Sequence, residues 1–320
     1  MNEENFVPVF VFTGFLESGK TTFIKNEWLK EDIFHDGSKT VIILCEEGVE
    51  EFDREELSKD NISLVVLNDT SEFTEEFLNR INEQYQPDNV IIEKCTSQTI
   101  EEMFSFEYPQ DWGIADIITL IDASTFDMYS KNMGKLILQQ YQYSSIVVFN
   151  RCDENTSKQK YRANIKASNP QANIYFQDMN GNIEQFEGEL PFDYNKDIIE
   201  LEDIDYGLFY IDLMDNPQRY ENKTISFKGQ CVQPKGFPKT AFASGRKAMT
   251  CCADDVQFLK LLCLSENVKM PKFKDWDWLK VTGVMNLHSL PESPDQPMPV
   301  LTLTKVEKSE PAQTELVYFS

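Results

Sequence analysis

The chain has 320 residues, an apolar fraction of 41% and a formal net charge of −24. That length suits about two domains, each able to bury a core, and the composition excludes a disordered or fibrous chain. The acidity is spread along the chain, which argues against a nucleic-acid backbone or an anionic membrane as the main partner and leaves a solvated surface or a cation-handling one. In chain order, residues 6–13 form a short apolar run closed by Gly14, the pattern of a buried strand, and 20–31 follow as a helix. "TVIILCEEG" and "ISLVVLND" are two further strand candidates. "SEFTEEFLNRINEQY" carries Phe73, Phe77, Leu78 and Ile81 at helical spacing. "DNVIIEKC", "ADIITLIDA" and "SSIVVFNRCD" are strands, with the helix-like "STFDMYSKNMGKLILQQYQY" between the last two. "KQKYRANIKAS" is a helix and "ANIYFQ" a strand. Strands that alternate with helices and run nearly continuously in Val and Ile predict an α/β domain with a mainly parallel sheet, residues 1–180.

The pattern changes after residue 180. Residues 181–205 are acidic and irregular and are expected to be a linker. Over 206–320 come short runs, "TISFKGQCV", "RKAMTCC", "VQFLKLLCL", "WLKVTGVM" and "PVLTLTKV", separated by Pro, Gly and Asn. They predict a small all-β barrel of the OB type. No apolar run approaches the roughly 20 residues of a membrane helix. The N-terminus "MNEENFVPVF" is acidic where a secretory leader is basic. Seven cysteines, an odd number without a regular framework, point to a reduced, cytoplasmic protein.

The stretch from Gly14 to Thr21 fits G-x-x-x-x-G-K-[ST], with a strand before it and a helix after it. Glycines let the backbone wrap a polyphosphate with N–H groups turned inward, and the helix start adds its positive end. Gly14, Glu17, Ser18, Gly19, Lys20, Thr21 and Thr22 are therefore the candidate nucleotide residues. Lys20 is expected on the β- and γ-phosphates and the Thr21 hydroxyl on Mg²⁺. Glu17 either lies close to the phosphates, offset by Mg²⁺ or Lys20, or, as is expected, points outward and serves only through its backbone N–H. Asn150-Arg151-Cys152-Asp153 follows a strand and resembles N-K-x-D, a guanine-reading signature. A carboxylate at Asp153 accepts from guanine N1 and N2, Asn150 braces the loop, and the flat Arg151 guanidinium stacks on the base. These residues predict GTP, not ATP.

"TGFLESGKTTF" resembles T-G-F-L-G-[SA]-G-K-T-T-L of the CobW-like GTPases, metal-handling relatives of the nickel-insertion GTPases for urease and hydrogenase. "CEEGVEEFD", "IIEKCT", "ITLIDASTF" and "SNPQANI" resemble further family segments in order, over about residues 6–178. The resemblance implies a GTP hydrolase with Mg²⁺ held by Thr21 with Glu46 or Glu93, and catalysis by Lys20 and the Glu93 region. Three departures stand out. The family's C-x-C-C motif is replaced by "NDTSEF", its glycine after the second acidic motif is Thr96, and a loop glycine is Glu17. Cys45 and Cys95, at two strand exits, are either a substitute Zn²⁺ site or small buried fillers.

The second domain resembles the C-terminal domain of the YcgQ-like family over about 206–307, through Arg246, Cys251, Cys252, Ala253, Asp254 or Asp255, and "WLKVTG". That resemblance implies metal homeostasis and a permease-like partner. Cys251 and Cys252 are either metal ligands in a turn or core residues of a barrel. The sequence thus predicts a GTPase acting as a metallochaperone or metal-homeostasis factor for a client protein. The alternative is a GTP-gated module that docks on a membrane permease complex with negligible hydrolysis.

Overall fold

The computed structural model describes residues 6–45, 52–186, 188–238, 240–249, 256–265, 268–290 and 293–318. The chain divides into two compact units, 1–156 with 171–186, and 157–170 with 187–320.

The first unit begins with β1 (Val7–Thr13), α1 (Lys20–Asn26), β2 (Thr40–Leu44), α2 (Arg54–Lys59) and β3 (Ile62–Val66). Then come α3 (Glu75–Tyr85), β4 (Asn89–Glu93), α4 (Ile100–Ser105), β5 (Trp112–Asp122), α5 (Phe126–Asn132), α6 (Gly134–Tyr141) and β6 (Ile146–Cys152). After α7 (Lys158–Ser168), β7 (Asn173–Asp178) and β8 (Ile183–Gln185) complete the sheet, in the order β3-β2-β4-β1-β5-β6-β7-β8. All neighbours are parallel except β7 and β8. This is the α/β domain with a mainly parallel sheet expected from the alternating strands and helices. Val9, Val11 and Ile92 face one apolar cluster and Phe12, Ile91 and Ile118 another, so the central strands are buried on both faces.

Helix α3 starts where it does because the Thr74 hydroxyl accepts from Phe77 N at 3.1 Å. It then buries Phe77, Leu78 and Ile81, at about 1.5–3 kcal/mol each. The helix expected over 20–31 is shorter: α1 ends at Asn26 and two 3₁₀ turns follow, Trp28–Lys30 and Asp32–Phe34. The long helix expected after β5 is two, broken at Met133, whose φ of −137° ends one helix and starts the next.

In the second unit, β10 (Thr224–Val232), β11 (Ala241–Met249), β12 (Val256–Leu264), β13 (Asp277–Leu290) and β14 (Ser293–Lys308) close a ring in the order β10-β11-β12-β14-β13-β10. Only β12 and β14 are parallel in that ring, and the five-stranded barrel is consistent with the OB-like expectation. The short β9 (Ile198–Glu200) and β15 (Leu316–Tyr318) add in parallel to β10 and β11. Within 181–205, expected as a linker, β8 belongs to the first sheet and β9 to the second.

One helix of the second unit was absent from the sequence expectation. α8 (Tyr206–Asp215) buries Tyr206, Phe209, Ile211 and Leu213 on several faces, which erases the one-sided periodicity that marks a surface helix. α7 groups with this unit, where Arg162 and Lys166 both pair with Asp215 of α8.

Candidate functional site

The parallel sheet brings the ends of β1, β4, β5 and β6 together, and the loop 14–19 leaves the end of β1 among them. Gly14 has φ +135°, and a Cβ there would lie 2.3 Å from Leu120 O. Gly19 has φ +91°, and its Cβ would lie 2.6 Å from Asn150 Nδ2. At Gly14 the obstacle is fixed backbone, whereas at Gly19 it is the end of the Asn150 side chain and the left-handed φ is what favours glycine. Glu17 adopts φ +61° with an exposed side chain, as expected for a residue that serves through its backbone.

Lys20 is buried, and its ammonium donates to Gly14 O at 3.3 Å and Phe15 O at 3.1 Å. Thr21 Oγ1 donates to Glu93 at 3.0 Å (Oε1) and 2.9 Å (Oε2), and both residues are buried. The register explains the meeting: Phe12 of β1 lies beside Glu93 of β4, so the last residue of β4 reaches the first turn of α1. A hydroxyl and a carboxylate side by side are hard oxygen donors of the kind Mg²⁺ takes. Ser18 Oγ and Asn150 Oδ1 are buried without a hydrogen-bond partner, as expected of atoms that complete their bonding with a ligand. The donor set therefore fits a Mg²⁺-nucleotide.

Asn150 Nδ2 donates to Ser18 O at 2.7 Å, which ties the end of β6 to the loop. A cavity of about 410 Å³ opens beside them, lined by Gly19, Thr22, Asn150, Arg151, Gln177 and Asn180 among others. Its far wall is the turn between β7 and β8, which sequence reasoning missed because only the sheet order brings 177–181 next to Asn150. Asp153 does not line this cavity. Its carboxylate accepts from Asn155 N at 2.9 Å and Thr156 Oγ1 at 3.1 Å. The Thr156 hydroxyl, then the Asn155 amide, hold it below the usual carboxylate range.

The two cysteines at the strand exits are buried in one apolar cluster with Val11 and Ile43. Burial, then the neighbouring Cys95 thiol, push Cys45 up to about 12. At that value the thiolate fraction at pH 8 is about one in ten thousand, so Cys45 is expected to resist iodoacetamide in the native protein and to react once urea unfolds it. Fast native alkylation, read by peptide mass, would contradict a packing role. Among the described residues no group of three His, Cys, Asp or Glu side chains is placed to hold a metal ion. Glu46, Cys251 and Cys252, the other candidate ligands, lie outside the described residues. In the barrel, Cys231 and Cys263 are fully buried. Among the described residues no helix is long and apolar enough to cross a membrane.

A family model for the DUF1980 C-terminal domain matches residues 176–319, the part of the chain where the YcgQ-like resemblance lies. Among solved structures, hydrogenase maturation factor HypB from Archaeoglobus fulgidus is 18% identical, with 56% of this chain and 84% of that chain covered and a TM-score of 0.40. Zn(II)-bound YjiA GTPase from E. coli is also 18% identical, with 83% and 92% covered and a TM-score of 0.42. No curated protein matches the chain. The model of the nucleotide-binding domain of CobW/HypB/UreG matches residues 8–176, more than half of the sequence, and by that match the chain belongs to the CobW/HypB/UreG family.

Proposed function

We propose that the protein is a GTP hydrolase whose cycle gates the handling of a transition metal, zinc first among the candidates, for a client protein. The observation that carries this reading is the pairing of Thr21 with Glu93 beside the Lys20 loop. Lys20 exchanges its two loop carbonyls for phosphate oxygens when the triphosphate enters. Thr21 and Glu93 would hold Mg²⁺, which would supply positive charge against the phosphoryl oxygens. Asn150 keeps the loop braced, and the cavity bounded by Arg151 and 177–181 receives the nucleoside. Family membership supports the metal role, since the resemblance is to metal-handling GTPases. Cytoplasmic location remains part of the same proposal.

A second reading, a GTP-gated module that docks on a permease complex and hydrolyses little, is favoured by one feature. Lys94 is buried and its ammonium donates to Cys95 O at 2.7 Å and Gln98 O at 2.5 Å. Those bonds pin the segment that carries Thr96 where the family has glycine, which would damp a nucleotide-driven rearrangement. Phosphate release measured with and without Zn²⁺ separates the two: zinc-responsive turnover supports the metal-gated enzyme, and absent turnover with tight GTP binding supports the module.

The base assignment has its own test. Asp153→Asn keeps an Oδ1 acceptor for Asn155 N and Thr156 Oγ1, so the turn persists. If Asp153, three residues past the cavity-lining Asn150, reads guanine, N1 and N2 then lose their charged acceptor and GTP binds roughly ten- to hundred-fold more weakly. Xanthosine triphosphate, which presents an acceptor where guanine donates, is expected to bind better than it does to the wild type. A wild-type protein that prefers ATP in competition would sink the guanine assignment.

A further inference from the structure

Arg151 was expected against the base, but its side chain is engaged elsewhere. Arg151 Nη1 donates to Glu17 O at 3.1 Å and pairs with Asp122 Oδ2. Asp122 ends β5, and its Oδ1 accepts from Ser124 N at 2.9 Å and Ser124 Oγ at 2.6 Å. Burial alone would raise the Asp122 carboxyl, but Ser124 and the Arg151 guanidinium outweigh it and hold it below the usual range. The carboxylate is thus charged at neutral pH and fixed on both oxygens. A cavity of about 120 Å³ adjoins the group, lined by Glu17, Ser18, Asp122 and Arg151 among others.

Both residues joined by the Arg151–Glu17 link have their backbone in the left-handed region, Glu17 at φ +61° and Arg151 at φ +53°. Non-glycine residues seldom stay there unless the surroundings hold them. The Glu17 side chain is exposed, so the hold on Glu17 acts through its carbonyl. The next carbonyl, Ser18 O, is held by Asn150. Consecutive residues at the end of β6 therefore grip consecutive carbonyls of the loop. In a trans peptide the N–H lies opposite the C=O, so gripping Ser18 O turns Gly19 N–H to the other side of the loop.

We propose that Asp122 is a positioning residue for the phosphate loop: through Arg151 it holds the Glu17 carbonyl and keeps the loop wound to receive a triphosphate. This rests on the nucleotide reading above. It also gives Glu17 a counterpart. A glycine at position 17 would take φ +61° freely, and a glutamate needs the clamp.

The test compares binding of GTP and of inorganic tripolyphosphate, which has no base, to the full-length protein by calorimetry. Asp122→Asn and Arg151→Ala are each expected to weaken both ligands by the same factor, roughly ten-fold, the loss of one charge-assisted hydrogen bond. In a Glu17→Gly background the Asp122→Asn loss is expected to shrink to under about three-fold, a rescue that general structural damage would not give. If the two variants weaken GTP and leave tripolyphosphate unchanged, Arg151 serves the base and the clamp is refuted. If neither ligand is affected, or Glu17→Gly gives no rescue, the positioning role is refuted while the nucleotide reading stands. A wild type that binds neither ligand overturns both.

Discussion

Lys20→Ala is expected to raise the Kd for GTP by at least about a hundred-fold and to remove phosphate release. Lys20 lies inside the loop, 4% exposed, with its ammonium on the carbonyls of Gly14 and Phe15. In that position the charge is already largely desolvated, so little hydration is lost when phosphate oxygens replace the carbonyls. Two charge-assisted hydrogen bonds of about 1.5–3 kcal/mol each convert to a factor of roughly 10² to 10⁴ in affinity. The fold should tolerate the change. Its loss is two charge-assisted hydrogen bonds to loop carbonyls, partly offset because no desolvated charge is left behind, and thermal unfolding without nucleotide would register it as a modest downward shift. Calorimetry with GTP and a phosphate-release assay check the result. Unchanged turnover in a folded Lys20→Ala protein would remove the loop from the chemistry.

The loop could be read from the sequence because its chemistry leaves few substitutes. Glycine at 14 is imposed by backbone within 3 Å and glycine at 19 is favoured by a φ of +91°, and lysine and threonine follow at fixed spacing. The parallel sheet was also legible, since strands covered on both faces must be apolar at successive positions. What the sequence hid depends on distance along the chain. Asp122 reads as an ordinary end of a strand until β5 and β6 are paired, when Asp122 falls beside Asn150 and one residue from Arg151. The turn at 177–181 becomes a cavity wall only through the β6–β7 pairing. α8 was hidden for a different reason: burial around much of its girth leaves no polar stripe to mark its period. Cys45 and Cys95 do lie just past the ends of β2 and β4, as expected from sequence, but strand position alone could not say which environment they face. The apolar cluster around them favours the filler reading.

The barrel supports an equally direct test. Gly245→Ala is expected to destabilise the second unit by roughly 3 kcal/mol or more. Gly245 sits where β11 pairs with β10 on one side and β12 on the other, opposite Gln230 and Lys260. A Cβ at this position would lie 1.9 Å from Leu259 O and 2.8 Å from Lys260 Cα, all backbone of the neighbouring strand. A flexible side chain could yield to such a contact, but a paired strand cannot without breaking its ladder. The glycine thus marks the corner at which the sheet bends enough to close. Gly236→Ala is the control. Gly236 has φ +88° and nothing within 4 Å of a built Cβ, so alanine there meets only backbone strain, about 1 kcal/mol. Urea unfolding followed by tryptophan fluorescence suits the comparison, because Trp276 and Trp278 report on this unit and Trp28 and Trp112 on the other. Gly245→Ala should lower the midpoint well below that of Gly236→Ala. Equal midpoints for the two variants would mean that β11 and β12 can separate at this corner without loss, and the closed ring would not be what holds the barrel together.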